Sequence, residues 1–358
     1  MSLTKKEIVV PGFERVVRIS DKSSGLEAII AIHSTVMGPA LGGTRIHPYS
    51  NFEEALADVL RLSKGMTYKS ALAQTGLGGG KSVIIANPKT GKTKAMLHAF
   101  AEAVNDLEGK YICAEDVGCS PEDMNTIREK TKYVTGSTLQ GASGNPAPFT
   151  AWGTVRGMQA AMKFLYGDAS LEGKTIAIQG IGSVGQALAE HLYWLGAKLI
   201  LADVDGVKVE LLAKKLGARV CPQEEILSTA CDILSPCALG AIINSYTVSH
   251  IKAKVVAGCA NNQLQEEYHG DFLHRRGILY VPDFVINAGG LINVLCELEP
   301  EGYRPTVARE RVNAIYEQLL MIFDMSKKNK QSTAAAANAL AEYRLRYGVG
   351  KNKPLVIR

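Results

Sequence analysis

Two lysines stand in settings that suit an amine for chemistry. Lys81 closes the run Gly76-Leu77-Gly78-Gly79-Gly80-Lys81-Ser82, and Lys69 lies upstream in "GMTYKSA". A Walker-type phosphate loop needs Gly, four residues, then Gly-Lys-Ser/Thr. Counting back from Gly80, the first position is Thr75, so the pattern misses by one. The glycines read instead as a loop that beds a lysine amine against a small substrate. Burial among apolar and glycine-rich residues lowers an amine's proton affinity. A neutral lysine serves as a general base, and a charged one clamps a carboxylate. Asp116, in "CAEDVG", is balanced between helix capping and a share in that chemistry.

A second group of residues points to a dinucleotide. Gly180-Ile181-Gly182-Ser183-Val184-Gly185 supplies GxGxxG between the apolar strand 174–179 and the helix-like "QALAEHLYWLG". Gly180 permits the tight turn, Gly182 lets backbone amides approach a pyrophosphate, and Gly185 allows close helix-to-strand contact. The phosphate meets the positive end of the helix. The next strand, "KLILAD", ends in Asp203, eighteen residues past Gly185, where an acid accepts from the adenosine ribose hydroxyls. That charge repels a ribose phosphate, so NAD is favoured over NADP. Asp205 reads as a turn residue.

These groups need elements to carry them. Residues 16–33 read as strand, glycine turn, strand. Residues 51–64 read as a helix capped by Asn51 with Glu54 three residues on. Residues 66–74 lead into the glycine loop, 82–86 form a buried strand, and 93–107 a second amphipathic helix. The small, turn-forming residues of 137–150 suit a junction. A helix over 150–165 and strands at 174–179, 198–203, 231–235, 254–257 and 278–281 follow, mostly alternating with helices. This pattern predicts a parallel sheet with helices on both faces. Long helices are expected at 304–325 and 331–347. The expected organisation is an N-terminal α/β substrate-binding and oligomerisation domain over 1–140 and a Rossmann-like doubly wound domain over 141–325. A helical segment over 326–358 is expected to pack back toward the first domain.

Composition sets the bounds. The chain has 358 residues, 46% hydrophobic and 21% charged, which suits a folded two-domain protein. The net charge of +5 is modest and spread along the chain, giving no reason to expect nucleic-acid binding. The seven cysteines are scattered without a CxxC pair, and they read as buried thiols of a reducing compartment rather than metal ligands. No apolar run reaches the roughly 18–20 residues of a membrane span, and the first residues lack a signal-peptide core. Cytoplasmic residence is the default.

Many segments together resemble the amino-acid dehydrogenases, in the branch holding leucine, valine and phenylalanine dehydrogenases, with the leucine-type enzymes most alike. They include "GPALGGTRIHPY", "KGMTYKSALAQTGLGGGKSVII", "AEDVG", "GNPAPFTAWGTVRGM", "CDILSPCALGAIIN", "VVAGCANNQL" and "PDFVINAGGLINV", and the likeness covers about residues 15–345. The resemblance implies NAD-dependent, reversible oxidative deamination of a branched-chain L-amino acid to a 2-oxo acid and ammonia. It implies that Lys69 binds the substrate carboxylate, with Gly42 and Gly43 lining the same pocket. Lys81 is the general base and Asp116 assists proton transfer. Leu41, Ala114, Leu291 and Val294 surround the substrate side chain. On the cofactor side the resemblance adds Thr150, Asn261, Asn262 and Asn287, the last with Gly289 and Gly290 near the nicotinamide. It implies domain closure around the substrate, no metal, and a homo-oligomer, a dimer or an octamer. Three positions depart from the leucine-type pattern. Leu291 replaces a smaller valine, "RIHPY" replaces a tryptophan-bearing turn, and Ser70 replaces an asparagine; the closing "GVGKNKPLVIR" is also short. The rival readings are a valine, phenylalanine or tryptophan dehydrogenase, and a cofactor-binding regulator without chemistry.

Overall fold

The computed structural model describes residues 3–139, 141–351 and 355–357. The expected boundary residue Gln140 and part of the closing "GVGKNKPLVIR" therefore lie outside the described residues. The chain forms two units, the first from residues 1–145, 294–305 and 341–358 and the second from 146–293 and 306–340. The chain therefore crosses between units four times, where the sequence pattern suggested boundaries near 140 and 325.

The first unit carries β1 (Thr4–Glu7), β2 (Arg15–Asp21), β3 (Leu26–Ser34), β4 (Ala40–His47), α1 (Phe52–Leu72), β5 (Gly78–Ile85), α2 (Lys94–Asn105), β6 (Tyr111–Glu115) and α3 (Pro121–Arg128). Its six-stranded sheet has the order β1-β2-β3-β5-β4-β6. β1, β2, β3 and β5 pair antiparallel, whereas β5, β4 and β6 run parallel. One face buries Val16, Ile29, Ala31 and Val83 against Ala55 and Val59 of α1. The other buries Ile46, Ile84, Tyr111 and Cys113 against Phe100 and Val104 of α2 and Met124 and Ile127 of α3.

Two expectations need correction here. The glycine run is a strand, not a loop: β5 begins at Gly78 and carries Lys81 as an interior residue. Glycine is ordinarily depleted in strands, and sequence pattern alone reads it as a turn. These glycines answer to close approach instead. A Cβ at Gly79 would overlap the backbone of Thr67 on α1, and one at Gly80 would press on the Tyr111 ring at 2.8 Å. The second correction is that α1 continues to Leu72, past residue 64. Gly65 costs the helix about 1 kcal/mol relative to alanine, which the buried Thr67, Ser70, Ala71 and Leu72 offset by packing. The start of α1 is as expected, Asn51 Oδ1 accepting from the Glu54 amide at 2.8 Å. β4 and β6 are strands the sequence pattern did not mark.

The second unit holds α4 (Ala147–Tyr166), β7 (Thr175–Gln179), α5 (Ser183–Trp194), β8 (Lys198–Ala202), α6 (Gly206–Leu216), β9 (Arg219–Val220), β10 (Ile233–Pro236), β11 (Val255–Val256), α7 (Tyr268–Arg275), β12 (Leu279–Tyr280) and α8 (Asp283–Ile286). Three helices follow, α9 (Gly289–Leu295), α10 (Pro305–Asn329) and α11 (Thr333–Tyr347), parts of which return to the first unit. The sheet order is β12-β11-β10-β7-β8-β9 and every pairing is parallel. The chain winds outward from β7 to β9, then restarts on the other side at β10. The gap between β7 and β10 is thus the topological switch point, where doubly wound sheets bind their ligands.

Candidate active site

Strand register explains how the first unit brings its reactive residues together. Leu41 pairs with Gly79 and Arg45 with Val83, so odd-numbered residues of β4 and β5 share a face. Leu41 also pairs with Ile112 and Gly43 with Ala114, which adds the even-numbered residues of β6. Lys81, Gly43, Arg45 and Ala114 therefore project from one face, that covered by α1. Asp116 follows β6 in a tight turn closed by the Cys119 amide on the Asp116 carbonyl, 2.9 Å. Gly118 in that turn has φ +80, and a Cβ there would strike the carbonyl of Ile46. Asp116 does not cap a helix, since Ser120 and Asp123 form the capping box of α3.

Gly43 is the floor of this site. A Cβ there would lie 2.7 Å from the Asp116 Cβ and 3.1 Å from Lys81 Nζ. Its neighbour Gly42 points the other way, where any side chain would overlap the Gly80 carbonyl. Behind the strands the Tyr111 hydroxyl donates to the Gly42 carbonyl at 2.8 Å and to Ser82 Oγ at 3.0 Å. Ser82 Oγ in turn donates to Thr44 Oγ1 at 2.9 Å. The backbone beneath the lysine is thereby held from its far side.

Lys81 Nζ lies 2.7 Å from Asp116 Oδ2, and the lysine is 5% exposed. The same oxygen accepts from Arg45 Nε at 3.1 Å. Arg45 Nη1 donates to Asp58 Oδ2 at 2.8 Å, and the Tyr49 hydroxyl donates to that oxygen at 2.7 Å. Burial disfavours the lysine's charge; Asp116 opposes this and Arg45 reinforces it, so the ammonium pKa lies below its ordinary value. Burial also raises the Asp116 carboxyl, but Lys81 and Arg45 outweigh it and hold the group below the usual range. An amine whose charge burial disfavours, beside a fixed carboxylate, is the pairing a proton-transfer site requires. Arg45, Tyr49 and Asp58 escaped the sequence reading. Arg45 had one signal, the period of two in "LGGTR" that sets it on the face of 41 and 43; Tyr49 and Asp58 had none.

Lys69 sits half-buried in the last turn of α1. That turn is fastened to the start of β5, because Ser70 Oγ donates to the Gly78 carbonyl at 3.3 Å. Its final carbonyls are taken by Arg344 of α11, whose Nη1 donates to Leu72 O at 2.7 Å and Ala71 O at 3.3 Å. Of the four apolar candidates, Leu41, Ala114 and Val294 belong to the first unit and Leu291 to the second, and all are buried.

In the second unit the glycine motif lies where β7 meets α5. Gly180 has φ +97, and a Cβ on it would hit Ala238, just past β10. A Cβ on Gly185 would overlap the Gly180 carbonyl, whereas Gly182 faces open space. Gly182 is the N-cap of the twelve-residue α5 and lends it no side-chain cap. With exposed Ser183 and half-buried Val184 behind it, that end keeps its amides for an anion. Asp203 Oδ2 accepts from the Ile181 amide at 2.5 Å and Oδ1 from the Asp205 amide at 3.0 Å. Burial raises this carboxyl, and the two amides with nearby Lys208 bring it below its ordinary value. It is thus a fixed anion at the tip of β8.

The remaining cofactor-side candidates converge. Gly240 packs on the carbonyls of Asn261 and Asn262, and the Ala241 amide donates to Asn262 O at 2.6 Å. Asn287 Nδ2 donates to Asn261 Oδ1 at 2.7 Å and to Cys259 O at 3.1 Å, while its Oδ1 is buried without a partner. A Cβ at Gly290 would press on Thr150 Oγ1. Thr150, Asn261, Asn287 and Gly290 thus form one patch of the second unit, linked through residues 238–241 to the glycine turn. An orphaned amide oxygen, an uncapped helix end and a turn that tolerates no side chain fit a nicotinamide dinucleotide. All seven cysteines are free thiols, and no cluster of three metal-ligating side chains occurs among the described residues. Nor is any helix among them long and apolar enough to cross a membrane.

Comparison with known proteins gives concordant matches. Residues 13–133 match the family model described as Glu/Leu/Phe/Val dehydrogenase, dimerisation domain. Residues 141–210 and 201–347 match the model described as Glutamate/Leucine/Phenylalanine/Valine dehydrogenase. A leucine dehydrogenase of Thermoactinomyces intermedius is 50% identical over 334 residues, 93% of this chain and 91% of that protein. The crystal structure of L-tryptophan dehydrogenase from Nostoc punctiforme superposes with a TM-score of 0.81 at 45% identity, covering 94% of this chain and 97% of that one. A hetero-hexameric glutamate dehydrogenase from Thermus thermophilus, 22% identical with a TM-score of 0.76 over 97% of this chain and 89% of that one, shares the fold.

Proposed function

The chain belongs to the glutamate/leucine/phenylalanine/valine dehydrogenase family, and from that premise we propose that it oxidatively and reversibly deaminates branched-chain L-amino acids with NAD, L-leucine foremost and isoleucine and valine besides. The products are the 2-oxo acid, ammonia and NADH. The observation that carries the chemistry is the pairing of buried Lys81 with half-buried Asp116 over the bare floor of Gly43. The 50% identity to a leucine dehydrogenase supports the choice of substrate.

Each residue's part follows from its physics. Lys69 clamps the substrate carboxylate. Lys81, its charged form disfavoured by burial, takes the proton from a water that adds to the oxidised α-carbon. Asp116, fixed on Lys81 Nζ, passes protons as the carbinolamine collapses and ammonia leaves. The dinucleotide supplies the hydride acceptor; Gly180, Gly182, Ser183, Val184 and Gly185 would hold its pyrophosphate and Asp203 its ribose. Thr150, Asn261, Asn262 and Asn287 would hold the nicotinamide end, where the orphaned Asn287 Oδ1 can accept from a carboxamide. The Asp203 anion favours NAD over NADP, because a ribose phosphate beside it would be repelled. Leu41, Ala114, Leu291 and Val294 contribute no charge to substrate recognition. Each methylene of an aliphatic substrate that they bury gains about 0.8 kcal/mol, and a glutamate side chain would lose solvation without compensation. The exposed edge strand β1 and the dimerisation domain matched by residues 13–133 support a homo-oligomer, a dimer or an octamer.

Initial rates with leucine, isoleucine, valine, phenylalanine, tryptophan and glutamate, each with NAD and NADP, test this reading. The aliphatic substrates with NAD should give the highest kcat/KM. A maximum with tryptophan or phenylalanine would move the chain to a sibling specificity, and no turnover with any substrate would remove the catalytic reading.

A further inference from the structure

Resting on the roles just proposed for Lys81 and Asp116, we propose that Arg45 is a positioning residue of the reaction. It is the centre of a partly buried frame, Lys81–Asp116–Arg45–Asp58–Tyr49, that decides which carboxylate oxygen meets the lysine amine. Arg45 Nε and Lys81 Nζ share Asp116 Oδ2, at 3.1 and 2.7 Å. The other arm of the guanidinium is anchored 2.8 Å from Asp58 Oδ2, which Tyr49 also holds. One planar fork thus ties two carboxylates on different elements, β6's following turn and α1, into a fixed geometry. An ammonium at the same position is a point charge on a flexible stem and lacks that fork.

The frame also balances charge. Lys81 and Arg45 are offset by Asp116 and Asp58; further out, Arg61 on α1 reaches Asp58 Oδ1 at 3.4 Å and Glu115 ends β6 beside Asp116. Without Arg45, Asp116 would face Lys81 with no competing cation and Asp58 with Arg61 alone, and the lysine would keep its proton to higher pH. Burial first, then the opposed influences of Asp116 and Arg45, give the same direction for Lys81.

The test is the pH profile of kcat for leucine deamination in Arg45→Gln, Arg45→Lys and Lys81→Ala. Arg45→Gln should move the acid limb up by about 1 pH unit, the size expected for loss of a neighbouring charge, with the KM for NAD unchanged. Arg45→Lys should restore the limb, since the charge returns, but leave plateau kcat at least about fivefold below the parent because the fork is gone. An Arg45→Gln profile that overlays the parent, while Lys81→Ala is inactive, overturns this inference and leaves the catalytic reading intact. An active Lys81→Ala overturns that reading itself. Should Arg45→Gln fail to fold by thermal melt, Arg45→Lys decides alone: parent-like plateau kcat overturns the inference.

Discussion

At the scale of single residues, the site is defined by what is missing as much as by what is present. Lys81 meets Asp116 because Gly43 has no side chain between them. Lys81→Ala should lose roughly 10²–10⁴-fold in kcat, the range for a general base, while dinucleotide affinity measured by calorimetry stays at the parent value. Turnover near normal would refute the role. The role proposed for Lys81 uses its neutral form and burial lowers its pKa, so kcat should rise with pH and level off below the 10.5 of an ordinary lysine. Asp203→Ala should raise the KM for NAD and narrow the preference over NADP; an unchanged cofactor ratio would contradict the ribose contact. Most of these residues were readable from the chain alone. GxGxxG, Asp203 and the two lysines are local signals, each within reach of a few neighbours in sequence. Arg45 and Asp58 were not readable, because their meaning depends on β4, α1 and β6 converging from separate stretches.

At the scale of elements, the misread glycine run shows why composition fails where packing decides. Strand propensity counts against Gly78–Gly80, yet the Ser34 and Gly38 carbonyls at Gly78, α1 at Gly79 and Tyr111 at Gly80 leave no volume for side chains. The alternating strands and helices of the second unit were legible because every parallel strand except the exposed, two-residue β9 lies in a short apolar run. β4, with two glycines and an arginine, carries no such run. The end of β6 offers a test of its own. Burial, with Asp116, Glu122 and Glu297 nearby, pushes the Glu115 carboxyl up from 4.5 to about 7. The folded chain then keeps a proton that the unfolded chain has released, so this group's contribution is full below about 4.5 and is lost as pH rises through about 7. Glu115→Gln should therefore stabilise the protein at pH 8 and change little at pH 4.5. Urea melts at the two pH values read the difference, and an equal effect at both would dispose of it.

At the scale of the whole molecule, the chain finishes each unit with segments far away in sequence. Residues 294–305 and 341–358 complete the first unit. Within them, Glu297 Oε1 accepts from the amides of Gly136 at 3.1 Å and Ser143 at 2.8 Å. Arg344 seals the end of the helix that carries Lys69. Arg344→Met should cost about 1–3 kcal/mol, the penalty for stranding buried carbonyls. It should also raise the KM for leucine more than that for NAD; equal effects on both would detach the seal from Lys69. From the sequence a return toward the first domain is expected only over 326–358 and none at 294–305, a stretch too short to signal a unit of its own. For recombination the plan has a practical outcome. Swapping in a foreign nucleotide cassette means transplanting 146–293 together with 306–340, and all four splice points must match at once. Single-junction chimeras would leave either half without its closing pieces, so each should melt below both parents.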